Sequence, residues 1–244
     1  MNLTTYHSTD SSLNFLHEKD LLKTYNQKTY PFDRILAKLF KIDSIELLHE
    51  KISSNEEFNA DLGKDSESFY HKLFYKEIKD VNSSLRKTWE FFISNEIRSH
   101  FPNENTLIIQ KLPNIRIHIP NGLAIKRWHC DSDKDHKHPI GELNCVMPFT
   151  KMYDTNSLWR ESSASEGDFK PFNLKFGEIV YWNGNTCIHG NKINNTKITR
   201  ISFDFRIFFK DKYEKYISST KNNFSSTATM GTKFILGAYY KEIV

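Results

Sequence analysis

Apolar positions recur at two different periods along this chain, and the change from one to the other comes near residue 105. After Pro31, the residues Ile35, Leu36, Leu39 and Phe40, then Ile45, Leu47 and Leu48, fall at helix-like intervals, with Asp43-Ser44 as a break between two short helices. A longer stripe over 66–100 carries Phe69, Leu73, Phe74, Ile78, Val81, Leu85, Trp89, Phe92, Ile93 and Ile97. It predicts one amphipathic helix whose apolar side packs on the outside of a sheet. Beyond 101–105 the pattern becomes extended. Residues 107–109 and 115–119 are rich in β-branched side chains, with turns at Pro113-Asn114 and Pro120-Asn121-Gly122. Further strands are expected over 123–130, 142–149, 179–182 and 199–209.

Few helical signals follow residue 105, which points to a mainly β core. The expected architecture is an antiparallel double-sheet barrel of the jelly-roll, cupin-like type (a double-stranded β-helix), supported on one face by N-terminal α-helices. No internal repeat or low-complexity linker interrupts the chain, so 1–244 reads as a single domain. In it 1–105 is largely helical support, 106–210 the barrel and 211–244 a C-terminal extension.

Composition narrows the class. With 26% charged and 14% aromatic residues and only 9 Gly and 7 Pro, the chain lacks the marks of disorder or of a fibrous protein. The net charge of +4 is scattered, without a basic block, so no nucleic-acid footprint is visible. Three cysteines without paired spacing read as reduced thiols and do not offer a structural zinc site. Residues 1–20 carry no secretory pattern and no stretch approaches the roughly 20 apolar residues of a membrane span. A soluble cytoplasmic protein without a membrane partner is expected.

The candidate chemistry lies in the β half. His129 and Asp131 are two apart, so on a strand they point to one side and can share a metal, and His189 follows after 57 intervening residues. Two histidines and a carboxylate are the sequence form of a facial triad for iron(II) with open coordination positions. Strand parity also turns Arg127 inward, where it would meet a substrate or cosubstrate anion or, at the rim, a nearby carboxylate. In the last strand Arg200, Ser202, Asp204 and Arg206 share one face, and Ile201, Phe203, Phe205 and Ile207 the other. A buried face of that polarity implies a bound anion, an internal salt bridge, or both. His136 and His138 sit in a charged run and read as a solvated loop near the mouth; Cys187 reads as a small packed thiol.

The order His129-x-Asp131, distal His189 and Arg200-x-Ser202 resembles the Fe(II)- and 2-oxoglutarate-dependent dioxygenases. Gly141-Glu142-Leu143-Asn144, 156–162 and 200–206 look like the small oxygenases of streptomycin-type aminoglycoside gene clusters and their phytanoyl-type relatives, over roughly 115–210. The resemblance implies iron(II) on His129, Asp131 and His189, with 2-oxoglutarate and O2 as cosubstrates. It also implies the distal carboxylate of 2-oxoglutarate on Arg200 and Ser202 and a cosubstrate contact from Asn144. Arg206 would make a second such contact or pair with Asp204 or another carboxylate. The implied reaction is hydroxylation of a small polar metabolite with release of succinate and CO2; Asp131 fills the position that a small residue takes in halogenating relatives. Trp159 would cover a sugar or cyclitol ring and Glu161 accept its hydrogen bonds, unless Trp159 packs the loop and Arg160 and Glu161 pair at the surface. Two other readings remain: a nucleic-acid dealkylase of the same superfamily, which also carries two arginines six apart, and a non-catalytic metal-binding barrel.

Overall fold

A computed structural model describes residues 19–52, 68–125, 127–220 and 231–244. The first two positions expected of the long helix, and most of the stretch read for a secretory signal, lie outside them. Ten strands are described: β1 (Leu21–Thr24), β2 (Leu107–Gln110), β3 (Asn114–His118), β4 (Leu143–Pro148), β5 (Leu158–Arg160), β6 (Lys170–Pro171), β7 (Glu178–Trp182), β8 (His189–Asn191), β9 (Arg200–Phe209) and β10 (Tyr240–Ile243). The main sheet runs β1-β7-β4-β9-β2-β10, with β3 continuing the β2 edge of β9; a smaller sheet runs β6-β5-β8. Every pair of strands is antiparallel. The longer α-helices are α1 (Phe32–Phe40), α2 (Phe69–Lys79), α3 (Ser84–Phe91), which runs on through a π-helical stretch (Phe92–Ile97) to His100, and α4 (Lys210–Thr220); the second short helix expected after Asp43-Ser44 is a 3-10 helix (Ile45–Lys51).

Strand β9 organises the molecule because its two faces differ completely. Ile201, Phe203, Phe205 and Ile207 are fully buried and belong to the large core that also takes in α1, α2 and α3. Phe203 is the meeting point: its ring lies 5.5 Å from Phe32, 5.2 Å from Phe74, 6.1 Å from Trp89 and 4.5 Å from Phe149. A second apolar cluster packs Val146, Val180 and Trp182 of the main sheet with Leu158 of the smaller one and with Phe172, which follows β6. The other face of β9 carries the polar residues of the site and, near its end, Phe208, which packs in a third apolar cluster.

The long helix is broken. Asp80 accepts the Asn82 N–H at 2.9 Å, and the Ser83 hydroxyl caps α3 by accepting the Arg86 N–H at 3.0 Å. This side-chain-to-backbone bonding ends α2 although the apolar period runs on through it, and Val81, counted in that stripe, is exposed. The described residues of 123–130 do not form the expected strand; among them His129 alone makes a β-bridge, to His189. The sheet also extends past the expected 106–210, since β1 pairs with β7 and β10 with β2.

Truncating Phe203 removes the ring that joins three helices to the sheet. Phe203→Ala should cost about 3–5 kcal/mol in denaturant unfolding, whereas Val81→Ala at the exposed break should change stability by less than about 0.5 kcal/mol. Equal small losses would show that the helices do not depend on this contact.

Candidate metal centre

The two histidines are brought together by backbone pairing. The His129 N–H donates to the His189 carbonyl at 3.0 Å and the His189 N–H returns the bond at 2.8 Å, while the Asp131 N–H is held by the Gly184 carbonyl at 3.0 Å, in the turn after β7. Each ring is then fixed through Nδ1, which lies 2.9 Å from the Arg127 carbonyl in His129 and 3.0 Å from the Cys187 carbonyl in His189. A carbonyl can only accept, so Nδ1 carries the proton and Nε2 presents a lone pair. Both Nε2 atoms face Asp131 Oδ1, at 3.5 and 3.6 Å. Asp131 Oδ2 is occupied on its other side by Arg206, at 2.7 and 3.1 Å, and by the Asn144 amide N–H at 2.7 Å.

This donor set fits a divalent cation. His129, Asp131 and His189 offer three ligand atoms within 4.8 Å of one another, each anchored by an outer hydrogen bond. Burial opposes ionisation of Asp131, but Arg206 and His129 outweigh it and hold the carboxyl well below its usual range. At His189 burial dominates and lowers the imidazole to about 4. At His129 burial is overcome by Asp131 and the Arg127 carbonyl, which favour a positive charge at that position.

A pocket of about 440 Å³, counting its open mouth, is lined by His129 and His189. Arg200, Ser202, Asp204 and Arg206 all line it, as the alternation in β9 predicts. Arg206 joins Asp131 to Asp204, and Asp204 also takes Arg116 and the Asn114 amide at 2.9 Å. Arg200 differs from its neighbours. It donates to the Asn156 carbonyl at 3.0 Å and to the Ser202 hydroxyl at 2.9 Å but forms no ion pair among the described residues; burial, with Arg116 nearby, outweighs the attraction of Asp204 and brings it down to about 9. A buried guanidinium in this state favours a bound anion.

Several sequence expectations change. Arg127 is exposed and pairs with Asp135, because 123–130 is not a strand and its parity does not carry over. Asn144 bonds to the candidate ligand Asp131. Trp159 does not line the pocket: its indole donates to the Asp154 carbonyl at 3.0 Å and Lys192 sits 3.3 Å above its ring. Glu161 is buried with both oxygens on backbone, accepting from Gly167 at 3.0 Å and Ile188 at 2.7 Å, and Arg160 pairs with Asp20. The run through His136 and His138 is a loop with Lys134, Asp135 and Lys137 exposed, as expected, but its two histidines turn inward. His136 stacks on His129 with ring centroids 4.0 Å apart, and His138 bonds buried Glu142 at 2.7 Å while its N–H reaches the Asp131 carbonyl at 2.9 Å. Cys187 is buried in the apolar cluster, as expected. Arg116 was not singled out from the sequence; its alternation with Ile115 and Ile117 was visible, but not that Arg116 pairs across from Ser202.

Two imidazoles and one carboxylate, set among antiparallel sheets beside a buried arginine, resemble the sites of the Fe(II)- and 2-oxoglutarate-dependent oxygenase superfamily. The streptomycin-type likeness also holds: the chain is 28% identical over 179 residues to the streptomycin biosynthesis protein StrG of Streptomyces griseus, covering 73% of this chain and 78% of that protein. No family model matches. The fold is similar to that of SnoK, described as a non-heme alpha ketoglutarate dependent carbocyclase from nogalamycin biosynthesis, at 10% identity over 97% of each chain with a TM-score of 0.51. It is similar also to AviO1 from Streptomyces viridochromogenes, at 10% identity over 84% of this chain and 96% of that one, TM-score 0.51. Both structural likenesses concern the fold. Among the described residues, no helix is long and apolar enough to cross a membrane.

Arg206→Ala would strip the buried Asp131 and the half-buried Asp204 of their shared cation. The metal-free protein should lose about 3–5 kcal/mol in equilibrium unfolding. A loss under about 1 kcal/mol, typical of an exposed pair, would contradict the role given to Arg206.

Proposed function

We propose that the chain is an oxygenase using iron(II), 2-oxoglutarate and O2, built as one domain on a double-stranded β-helix, and that it hydroxylates a small polar metabolite. The observation that carries this is the division of Asp131: one oxygen faces two imidazole lone pairs, the other is held by Arg206 and Asn144, and Arg200 lines the same pocket without an ion pair among the described residues. Iron(II) with 2-oxoglutarate would supply oxidation of an unactivated C–H bond by O2, with the cosubstrate leaving as succinate and CO2.

The chain's own residues would do the rest. His129 and His189 bind through Nε2 and Asp131 through Oδ1. Arg200 and Ser202 receive the distal carboxylate of the cosubstrate, a charge-assisted contact from a donor that stays ionised. Val146, Met152 and Leu158 wall the pocket and exclude water. Arg206, engaged by Asp131 and Asp204, acts as a positioning residue; this favours the small-molecule reading over the dealkylase, because its charge is already matched. The biosynthetic relative supports a metabolite as substrate.

Anaerobic addition of iron(II) and 2-oxoglutarate should produce the visible charge-transfer band of the chelate. Removing Arg200 should cost on the order of 2–5 kcal/mol of cosubstrate binding, so that Arg200→Ala needs at least about tenfold more 2-oxoglutarate to develop the band. No band in the native protein would refute the proposal. The same shift in Arg206→Ala but not in Arg200→Ala would reverse the assignment of β9.

A further inference from the structure

The loop that begins at Asp131 is held from a second side, by residues with no part in binding metal or cosubstrate. Its first turn hangs on the segment after β7: the Ser132 N–H donates to the Asn185 carbonyl at 3.0 Å, and the Asn185 amide donates to the Pro139 carbonyl at 2.9 Å. The loop then folds back on its own start. The His138 N–H meets the Asp131 carbonyl at 2.9 Å, and the His136 ring stacks on His129. Asp131 and His129, two of the three candidate ligands, thus rest against one loop.

From His138 a line of polar contacts runs to the C-terminal strand. His138 Nδ1 lies 2.7 Å from Glu142 Oε2, and the Tyr240 hydroxyl donates to Glu142 Oε1. A carboxylate only accepts, so an imidazole N–H serves one oxygen and the phenol O–H the other. Burial, with Glu142 beside it, pushes the Tyr240 phenol well above its usual range, so it keeps its proton. Glu142 and Tyr240 are fully buried, and the His138 ring lies 4.5 Å from that of Phe234 and 6.0 Å from that of Tyr239. Tyr240 opens β10, which pairs with β2, and β2 pairs with β9. The line that leaves the Asp131 backbone therefore returns to the sheet whose Arg206 grips the Asp131 side chain.

A fully buried carboxylate is a poor choice for packing alone, because an apolar residue of similar size avoids its desolvation. Its two oxygens instead join a loop to a strand at fixed distance. We propose that His138, Glu142 and Tyr240 are positioning residues of the metal centre, a buried strut through which the C-terminal strand fixes the loop that carries Asp131 and His136. With Arg206 it holds Asp131 at both backbone and side chain, so that Oδ1 faces the two imidazoles before a metal arrives. This deepens the oxygenase reading and rests on its metal centre.

The test titrates cobalt(II), whose visible d–d bands report affinity and ligand geometry together, into the metal-free full chain. Tyr240→Phe removes one hydroxyl and keeps the ring; Glu142→Gln keeps the shape but turns an amide N–H toward a donor. Each should weaken cobalt(II) binding by about tenfold or more and alter the bands. Tyr213→Phe is the control, since the Tyr213 hydroxyl accepts the Leu236 N–H at 2.7 Å in the same apolar cluster as Tyr240 without touching the strut. Its affinity and bands should match the native chain. Native affinity and bands in Tyr240→Phe, or an equal loss in Tyr213→Phe, overturns the strut whatever the unfolding midpoints, and Tyr240→Phe decides alone if Glu142→Gln does not fold. If the native chain binds no cobalt(II), the metal centre and the oxygenase reading fail and the strut with them; if it binds and the variants match it, the strut alone fails.

Discussion

The carboxylate of Asp131 is the point on which the site depends, because its two oxygens have different duties. Oδ2 is committed to Arg206 and Asn144, so only Oδ1 faces the two imidazoles. Arg206 in turn bridges to Asp204, and Asp204 to Arg116, giving a line of alternating charges across the inner face of the main sheet. Buried charges are tolerable only when each meets its opposite, and removing one member leaves another uncompensated. Arg200 stands at the far end of this line, hydrogen-bonded to Asn156 and Ser202 and, among the described residues, without an ion pair.

Such a charged face needs a strand that cannot slip, since a shift of one residue would exchange the inner and outer sets. The outer residues of β9 prevent this. Phe203 and Phe205 are locked among Phe32, Phe74, Trp89 and Phe149. On its two edges β9 pairs with β4 and with β2 and β3, which bring Asn144 and Arg116 into register with Arg206 and Ser202. The helical layer therefore contributes no ligand, yet it sets the position of the groups that orient one.

Much of this was legible in the sequence where a period or a spacing carried it. The alternation of β9 separates its charged and apolar faces without reference to any other part of the chain, and His129, Asp131 and His189 stood out by residue type and order. What was hidden depended on partners far along the chain. Arg127 was assigned inward by the parity of a strand that does not exist. Glu161 looked available to a substrate, yet the backbone of Gly167 and Ile188 takes both its oxygens. Strands β1 and β10 are four residues long without a clear alternation, and they are defined by pairing with β7 and β2. The break after α2 was written in Asp80 and Ser83, but a continuing apolar stripe masked it.

The most direct measurement of the central claim is X-ray absorption at the iron edge on the anaerobic iron(II) protein, comparing the native chain with His189→Ala. The account predicts outer-shell scattering from two imidazoles in the native site and from one in the variant, with nitrogen and oxygen in the first shell. An all-oxygen environment without imidazole scattering, or an unchanged spectrum in the variant, would contradict it.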